Sequence, residues 1–388
     1  MIYQKPLRRS HHHGHHLGQL GAIVLHWMRK NVLLCIAAVA ALVTSCIVPP
    51  DAEYLSYFDL KTLTCLFCVL AVVCALKNVK FFTILARKIV DCTGNLRMAV
   101  LSLVYITFIG SMLIANDMAL LTFLPLGYFV LSSTSKQKHM AFVFIMQNIA
   151  ANLGGMLTPF GNPQNLYLYT KFAIPTGEFM RIMLLPFLAA IALITVCCLF
   201  LPREKLAITE EYPYRLQVKP TILYLALFAL SIVIVFRVIP YQIGLVVIPL
   251  VLLFADRKAL GAVDYPLLLT FVCFFIFAGN MARIPQVSAL FSGLLEKNTL
   301  IVSALSCQVI SNVPSAILLS QFTTDYPSLL LGVNIGGTGT LIASLASLIT
   351  FREYTSHNPN QAGNYLLKFS IFNFGFLIVL TAFSLLLI

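Results

Sequence analysis

Two stretches of this 388-residue chain place helix-breaking and polar residues inside otherwise apolar sequence. The first, 152–165, carries Gly154, Gly155, Thr158, Pro159, Gly161, Asn162, Pro163 and Asn165. The second, 334–347, carries Gly336, Gly337, Thr340, Ala343, Ser344 and Ser347 at matching offsets when Asn152 is aligned with Asn334. Each is preceded by a further polar interruption, Ala115-Asn116-Asp117 in one case and Ser311-Asn312-Val313-Pro314 in the other. Glycine lets a backbone turn and approach a ligand closely. Proline removes a donor and fixes the break. A helix broken inside a membrane points unpaired N–H groups and a positive dipole end at the gap, which suits an anion. Its unwound carbonyls, with Asn and Thr oxygens, suit a small cation such as Na⁺.

Asp117 is the only carboxylate deep in an apolar segment. An Asp at mid-membrane costs about 2.5–3.5 kcal/mol on insertion scales. The residue therefore reads as a cation ligand or proton carrier. A carboxylate satisfied by backbone donors at a hairpin tip is the plainer alternative. No Lys or Arg falls within the four motifs, so an anionic substrate would be held by dipoles, amides and hydroxyls. The candidate binding residues are Asn116, Asp117, Thr158, Gly161, Asn162, Asn165, Ser311, Asn312, Thr340, Ala343 and Ser344, with Gly154, Gly155, Gly336 and Gly337 as the breaking glycines. No resident metal or cofactor is expected beyond Na⁺ as a coupling ion.

The elements that must position these residues are membrane spans. The chain is 59% hydrophobic and 10% charged, against about 25% charged in soluble domains, and its mean hydropathy is +0.90. Apolar runs near the length of a spanning helix recur throughout, without the period-two alternation of a transmembrane barrel. The expected fold is an all-α polytopic membrane protein. The net charge of +12 is scattered among short loops and reads as a topology signal rather than a nucleic-acid surface. The ten Cys fall mostly in apolar runs and read as packing residues, Cys65 and Cys68 included.

In order, residues 1–30 form a basic, His-rich cytoplasmic tail, either a metal-binding tract or a tail with no role in transport. Residues 31–201 form a first transmembrane half, with a re-entrant hairpin at 98–131 and a broken helix at 139–170. A cytoplasmic linker follows at 202–220. Residues 221–388 form a second half, with a surface piece at 282–296, a hairpin at 298–324 and a broken helix at 327–351. Phe58-Asp59-Leu60 and Val263-Asp264-Tyr265 are a third matching landmark, so the chain reads as an internal duplication. With the N-terminus inside, nine spans and two hairpins put 20 of the 26 Lys and Arg on the cytoplasmic side of an inner membrane and the C-terminus outside. The two hairpins then enter from opposite faces, which makes the halves inverted repeats.

Over roughly 50–388 the chain resembles the ion transporter superfamily of divalent anion:sodium symporters, citrate transporters, arsenite permeases and sodium/proton antiporters. Ala115-Asn116-Asp117…Pro125, Gly154-Gly155…Thr158…Gly161-Asn162-Pro163…Asn165 and their second-half partners carry the likeness. The resemblance implies a secondary active transporter and no enzyme. It would move a small di- or tricarboxylate-like anion with Na⁺ or H⁺ by alternating access, as a membrane-embedded homodimer. It implies one cation site at Asn116 with the backbone near Gly161, and another at Asn312 with the backbone near Ala343. Ala115-Asn116-Asp117 is closer to the arsenite-permease and antiporter branch, which makes arsenite extrusion or sodium/proton exchange the alternative. Ala343 and Ser347 stand where the family has Gly and Asn. An enzyme would need reactive groups at the interface, and His139 and His357 are isolated. A channel would need a continuous polar pore.

Overall fold

A computed structural model describes residues 27–28, 31–206 and 215–387. The His-rich tail and the middle of the linker lie outside the described residues. The rest is helical, and the apolar runs seen in the sequence become its helices. The first half contains α1 (Val32–Ile47), α2 (Leu60–Asn78), α3 (Phe81–Asp91), α4 (Leu96–Ile114), α5 (Asn116–Ser133), α6 (Met140–Gly154), α7 (Pro163–Lys171) and α8 (Thr176–Leu199). The second contains α9 (Val218–Val235), α10 (Tyr241–Ala255), α11 (Tyr265–Ala282), α12 (Pro285–Ile310), α13 (Asn312–Leu319), α14 (Tyr326–Ile335), α15 (Leu345–His357) and α16 (Ala362–Leu385). Among the described residues, 7 helices are long and apolar enough to cross a membrane, and α1, α10 and α14 are shorter apolar helices. The protein is a polytopic helical membrane protein.

The matched landmarks of the sequence are helix starts. Asp59 accepts from the Thr62 amide at 2.9 Å and Asp264 from the Leu267 amide at 3.0 Å. Each satisfies one of the backbone donors that a helix leaves free at its N-terminus. The first hairpin is α4 and α5, joined at Ala115 alone. The expected surface piece at 282–296 and the first arm of the second hairpin form one helix, α12, bent at Asn298. That residue is extended (φ −167°, ψ 97°), and its side chain caps the second segment through the Ile301 amide at 2.8 Å.

The two halves of the sequence are not two bundles in space. α1 packs on α11, and α2 packs on α9 and α10. The second pieces of the broken spans also cross over, with α7 against α13 of the other hairpin and α15 against α5. Each exchange in one half therefore has its counterpart in the other, and the candidate residues meet only because of it.

The base of the first hairpin is strapped by residues 201–206. The Leu96 amide donates to Glu204 O at 2.8 Å and Arg97 Nε to Leu201 O at 2.7 Å. Glu204 also pairs with Lys136 and, at 3.2 Å, with Lys138 at the far end of α5. The hydrogen bonds from Lys136 and Lys138 hold the Glu204 carboxyl below its usual range. A depressed carboxylate stabilises the fold above its unfolded pKa and loses that contribution as pH falls through the folded one. Lys138 is exposed and Glu204 and Lys136 are partly so, and solvent screening keeps the effect modest. Hydrogen exchange at 94–97, corrected for intrinsic rates, should accelerate in the wild type only at acid pH. In Glu204→Gln it should be fast throughout. A wild-type profile flat with pH would show that the backbone bonds alone hold the strap.

Candidate functional site

Each hairpin turns on one residue with a left-handed φ. Ala115 has φ 66° and ψ 153°, and Ser311 has φ 77° and ψ 161°. Such non-glycine conformations are uncommon and persist where the surroundings over-determine them. The next residue is Asn in both tips. Asn116 Oδ1 accepts from the Asp117 amide and Asn312 Oδ1 from the Val313 amide, each at 2.9 Å. Each tip is tied to its broken span three residues earlier. Thr158 Oγ1 donates to Met112 O at 2.8 Å, and Thr340 Oγ1 to Gln308 O at 3.1 Å. The duplication seen in the sequence is thus a duplication of backbone geometry.

The breaks are closed differently. In the first, Asn165 Nδ2 lies within reach of the freed carbonyls of Gly155 (3.1 Å), Met156 (3.3 Å) and Thr158 (3.4 Å). In the second, Ser347 is too short for that task. Gln308 reaches across from the hairpin instead. Its Nε2 donates to Gly336 O (2.9 Å) and Thr338 O (3.1 Å), and its Oε1 accepts from the Thr340 amide (2.9 Å). Gly339, at φ 116°, passes so close to this amide that a Cβ would overlap it.

The two breaks meet at buried amides. Asn334 Nδ2 donates to Asn165 Oδ1 at 2.6 Å, and Asn162 Nδ2 donates to Asn334 Oδ1 at 3.2 Å. Asn116 Nδ2 donates to Asn152 Oδ1 at 3.2 Å, so the first tip joins the same network. The second tip arrives at Gly337, where an added Cβ would stand 3.1 Å from Asn312 Nδ2 and 3.8 Å from Asn152 Oδ1. Gly154 sits against the Phe108 carbonyl of α4, and Gly155 against the Gly161 carbonyl and the Asn162 side chain. Gly336 lies on α12 beside Ala304 and Cys307. Ser311 Oγ donates to Ala343 O at 3.3 Å, and Ser344 Oγ accepts from the Ser347 amide at 3.2 Å.

Several members were not singled out from the sequence as binding residues. Asn152 and Asn334 served there only as alignment points. Asn148, four residues before Asn152, donates to Ser347 Oγ (3.3 Å) and approaches Asn373 Oδ1 of α16 at 3.4 Å. Gln164 and Gln308 complete the set. The available signal was an amide side chain inside an apolar span, as costly there as a broken helix.

Four buried side-chain acceptors on these elements have no hydrogen-bond donor: Asp117 Oδ1, Asn162 Oδ1, Gln164 Oε1 and Gln147 Oε1. An unsatisfied buried acceptor costs about 1–3 kcal/mol. Oxygen acceptors without donors are the ligand type of a small hard cation; Gln147 stands apart from the break, its Nε2 donating to Thr107 Oγ1 and Phe123 O. The N-termini of α5, α7, α13 and α15 begin at the same centre, and they favour negative charge. The arrangement can therefore hold a cation and an anion close together, with amides and hydroxyls as the fixed polar groups.

With this geometry in hand, comparison with known proteins is informative. Residues 20–325 match the family described as citrate transporter. The chain is 32% identical over 333 residues to an uncharacterized transporter of Methanocaldococcus jannaschii, covering 86% of this chain and 91% of that protein. It is 29% identical over 283 residues to the inner membrane protein YbiR of Escherichia coli, covering 70% of this chain and 74% of that protein. A transporter family and a helical bundle with a buried polar centre agree, and the chain belongs to the citrate transporter family.

Proposed function

We propose that the protein is a secondary active transporter that moves a small di- or tricarboxylate-like anion with Na⁺ or H⁺ by alternating access. The observation that carries this reading is a difference between two matched faces. On one, a cavity of about 890 Å³ lies between α1 and α11 on one side and α12, α13 and α15 on the other. It reaches the tip residue Ser311, and its lining includes Ile342, Asp264 and Arg352. On the other face, Phe160 occupies the position that matches Ile342. Phe160 is 7% exposed and Ile342 57%. Phe160 is covered by Phe236, with ring centroids 5.9 Å apart. Beside it, Arg237 donates to Tyr169 O and, at 3.1 Å, to Ile174 O, and lies 4.0 Å over the Tyr169 ring. These bonds fasten the α9–α10 turn to the end of α7.

A duplicated core that is open on one face and sealed on the other is what a carrier resting in a one-sided state requires; a channel would be open on both. The lysine and arginine distribution supports inverted halves, with the cavity on the cytoplasmic side. An anion fits because the centre is ringed by helix N-termini and Arg352 lies at the cavity lining. A carboxylate fits because the family is one of citrate transporters. Na⁺ fits the donorless oxygens on α5 and α7. Asp117, whose Oδ1 is buried without a partner, favours a second reading in which H⁺ is the coupling or exchanged ion.

Purified protein in liposomes should take up labelled citrate or succinate saturably when an inward Na⁺ or H⁺ gradient is imposed. Absence of uptake under either gradient would leave cation exchange or arsenite extrusion. Asp117→Asn should abolish H⁺-driven transport, and unchanged pH-dependent activity in that variant would remove the proton-carrier role. For the two faces, Ile342→Cys should react quickly with a membrane-impermeant maleimide in a background without other accessible thiols, and from one side only. Phe160→Cys should react at least about tenfold more slowly, and Arg237→Ala should raise its rate. Equal labelling of both positions would contradict the one-sided state.

A further inference from the structure

Away from the buried amides, α6, α8 and α16 pack on one another. Near the start of α6 they border a cavity of about 380 Å³. Two lysines line it: Lys138, in the turn that leads into α6, and Lys368, in the second turn of α16. Both are exposed. His139 joins them in the lining, and its Nε2 makes no hydrogen bond. Among the described residues, no carboxylate lines the cavity. Glu204 lies close by and pairs with Lys138 at 3.2 Å, but it also pairs with Lys136. One carboxylate shared by two ammonium groups leaves a positive excess, to which Lys368 adds.

The rest of the lining is apolar. Phe142 of α6 and Phe372 of α16 meet edge to face, with ring centroids 5.5 Å apart. Phe200, at the end of α8, is 85% exposed. A site that is cationic at one edge and aromatic at the other matches a molecule with an anionic head and apolar tails. A soluble phosphate would use the lysines and gain nothing from the three rings. The site is also separate from the polar centre. Asn148, a member of the buried amide network, lies eight residues into α6, about 12 Å from its start.

We propose that this cavity binds one anionic phospholipid of the cytoplasmic leaflet, with its phosphate between the Lys138 and Lys368 ammonium groups and its acyl chains on Phe142, Phe372 and Phe200. The lysine and arginine distribution puts this end of the bundle in the cytoplasm, where anionic lipids face basic pockets between spanning helices. The phosphate competes with Glu204 for Lys138, so the lipid meets the strap at the base of the first hairpin. The inference goes beyond the transport reading and needs only a chain that spans the bilayer.

Native mass spectrometry of the full chain, titrated in detergent micelles with phosphatidylglycerol or with phosphatidylcholine of the same acyl chains, reads this directly. One phosphatidylglycerol per chain should bind at least about tenfold more tightly than phosphatidylcholine. Lys138→Gln combined with Lys368→Gln should remove that preference and leave phosphatidylcholine binding unchanged, and the fold tolerates both changes because both side chains are exposed. Lys258→Gln, between α10 and α11 on the same side of the membrane, should bind as the wild type does. Millimolar inorganic phosphate should not displace the lipid. Equal binding of the two lipids, or a preference that survives in the double variant, would overturn the inference. So would an equal loss in Lys258→Gln, which would make the preference a general surface charge. Displacement by inorganic phosphate would overturn it by making a soluble anion the ligand. None of these outcomes bears on the transport reading, which the uptake assay decides.

Discussion

Backbone that leaves the helix inside an apolar bundle has no water to satisfy it, so its N–H and C=O groups must find partners within the protein. Residues 155–162 and 336–344 impose this demand twice, next to each other. The buried amides exist to meet it. Asn165 and Gln308 close the gaps, Asn334 and Asn162 join them, and Asn116 and Asn312 turn back onto their own helix starts. The glycines are constrained by the same crowding, since carbonyl and amide groups already occupy the space a Cβ would need at Gly155 and Gly339. What remains unpaired after this accounting is therefore informative, and it is confined to a few oxygens.

The duplication conserves geometry more strictly than residue type. Tip conformation, the Asn that follows it and the Thr that ties tip to break repeat almost atom for atom. The amide that closes the break does not, because it comes from the broken span in one half and from the hairpin in the other. In the second half the gap is thereby bound to its own hairpin. In the first half Asn165 closes the gap within a single span, and Thr158 and the Asn116–Asn152 bond link that span to the hairpin. The same duty thus falls on different elements in the two units.

Much of this was legible in the sequence, because broken helices in apolar runs are chemically conspicuous. The hairpin read at 98–131 is Leu96–Ile114 with Asn116–Ser133, and the break at 152–165 is where the chain unwinds. Asn116, Thr158, Asn165 and Ser311 could be picked out by type and spacing. Gln308 and Asn373 carried only the signal of an amide on an apolar helix, and each acquires its role when a distant segment is packed against it. Asn148 is similar, with Asn373 its neighbour across 225 positions. Arg237 was not singled out, although it has a left-handed φ of 64° and its guanidinium bonds the end of α7. Nor could linear order reveal that α1 belongs with α11 and α2 with α10, since apolar faces of similar composition do not encode their partner.

That exchange of partners explains how a symmetric core holds an asymmetric state. α7 rests on α13 and α15 on α5, so neither hairpin can shift without carrying part of the other half. On the carrier reading proposed above, the matched faces would then open in concert rather than independently. On the sealed face the load falls on Phe236 and Arg237, whose bonds end on the carbonyls of Tyr169 and Ile174 rather than on an acidic side chain. Carbonyls at a helix end attract a guanidinium through the dipole and hydrogen bonds, with no second full charge to strip of water when the contact breaks. A fastening of this kind separates at lower cost than a buried ion pair, which is the property a seal needs if the core is to turn over.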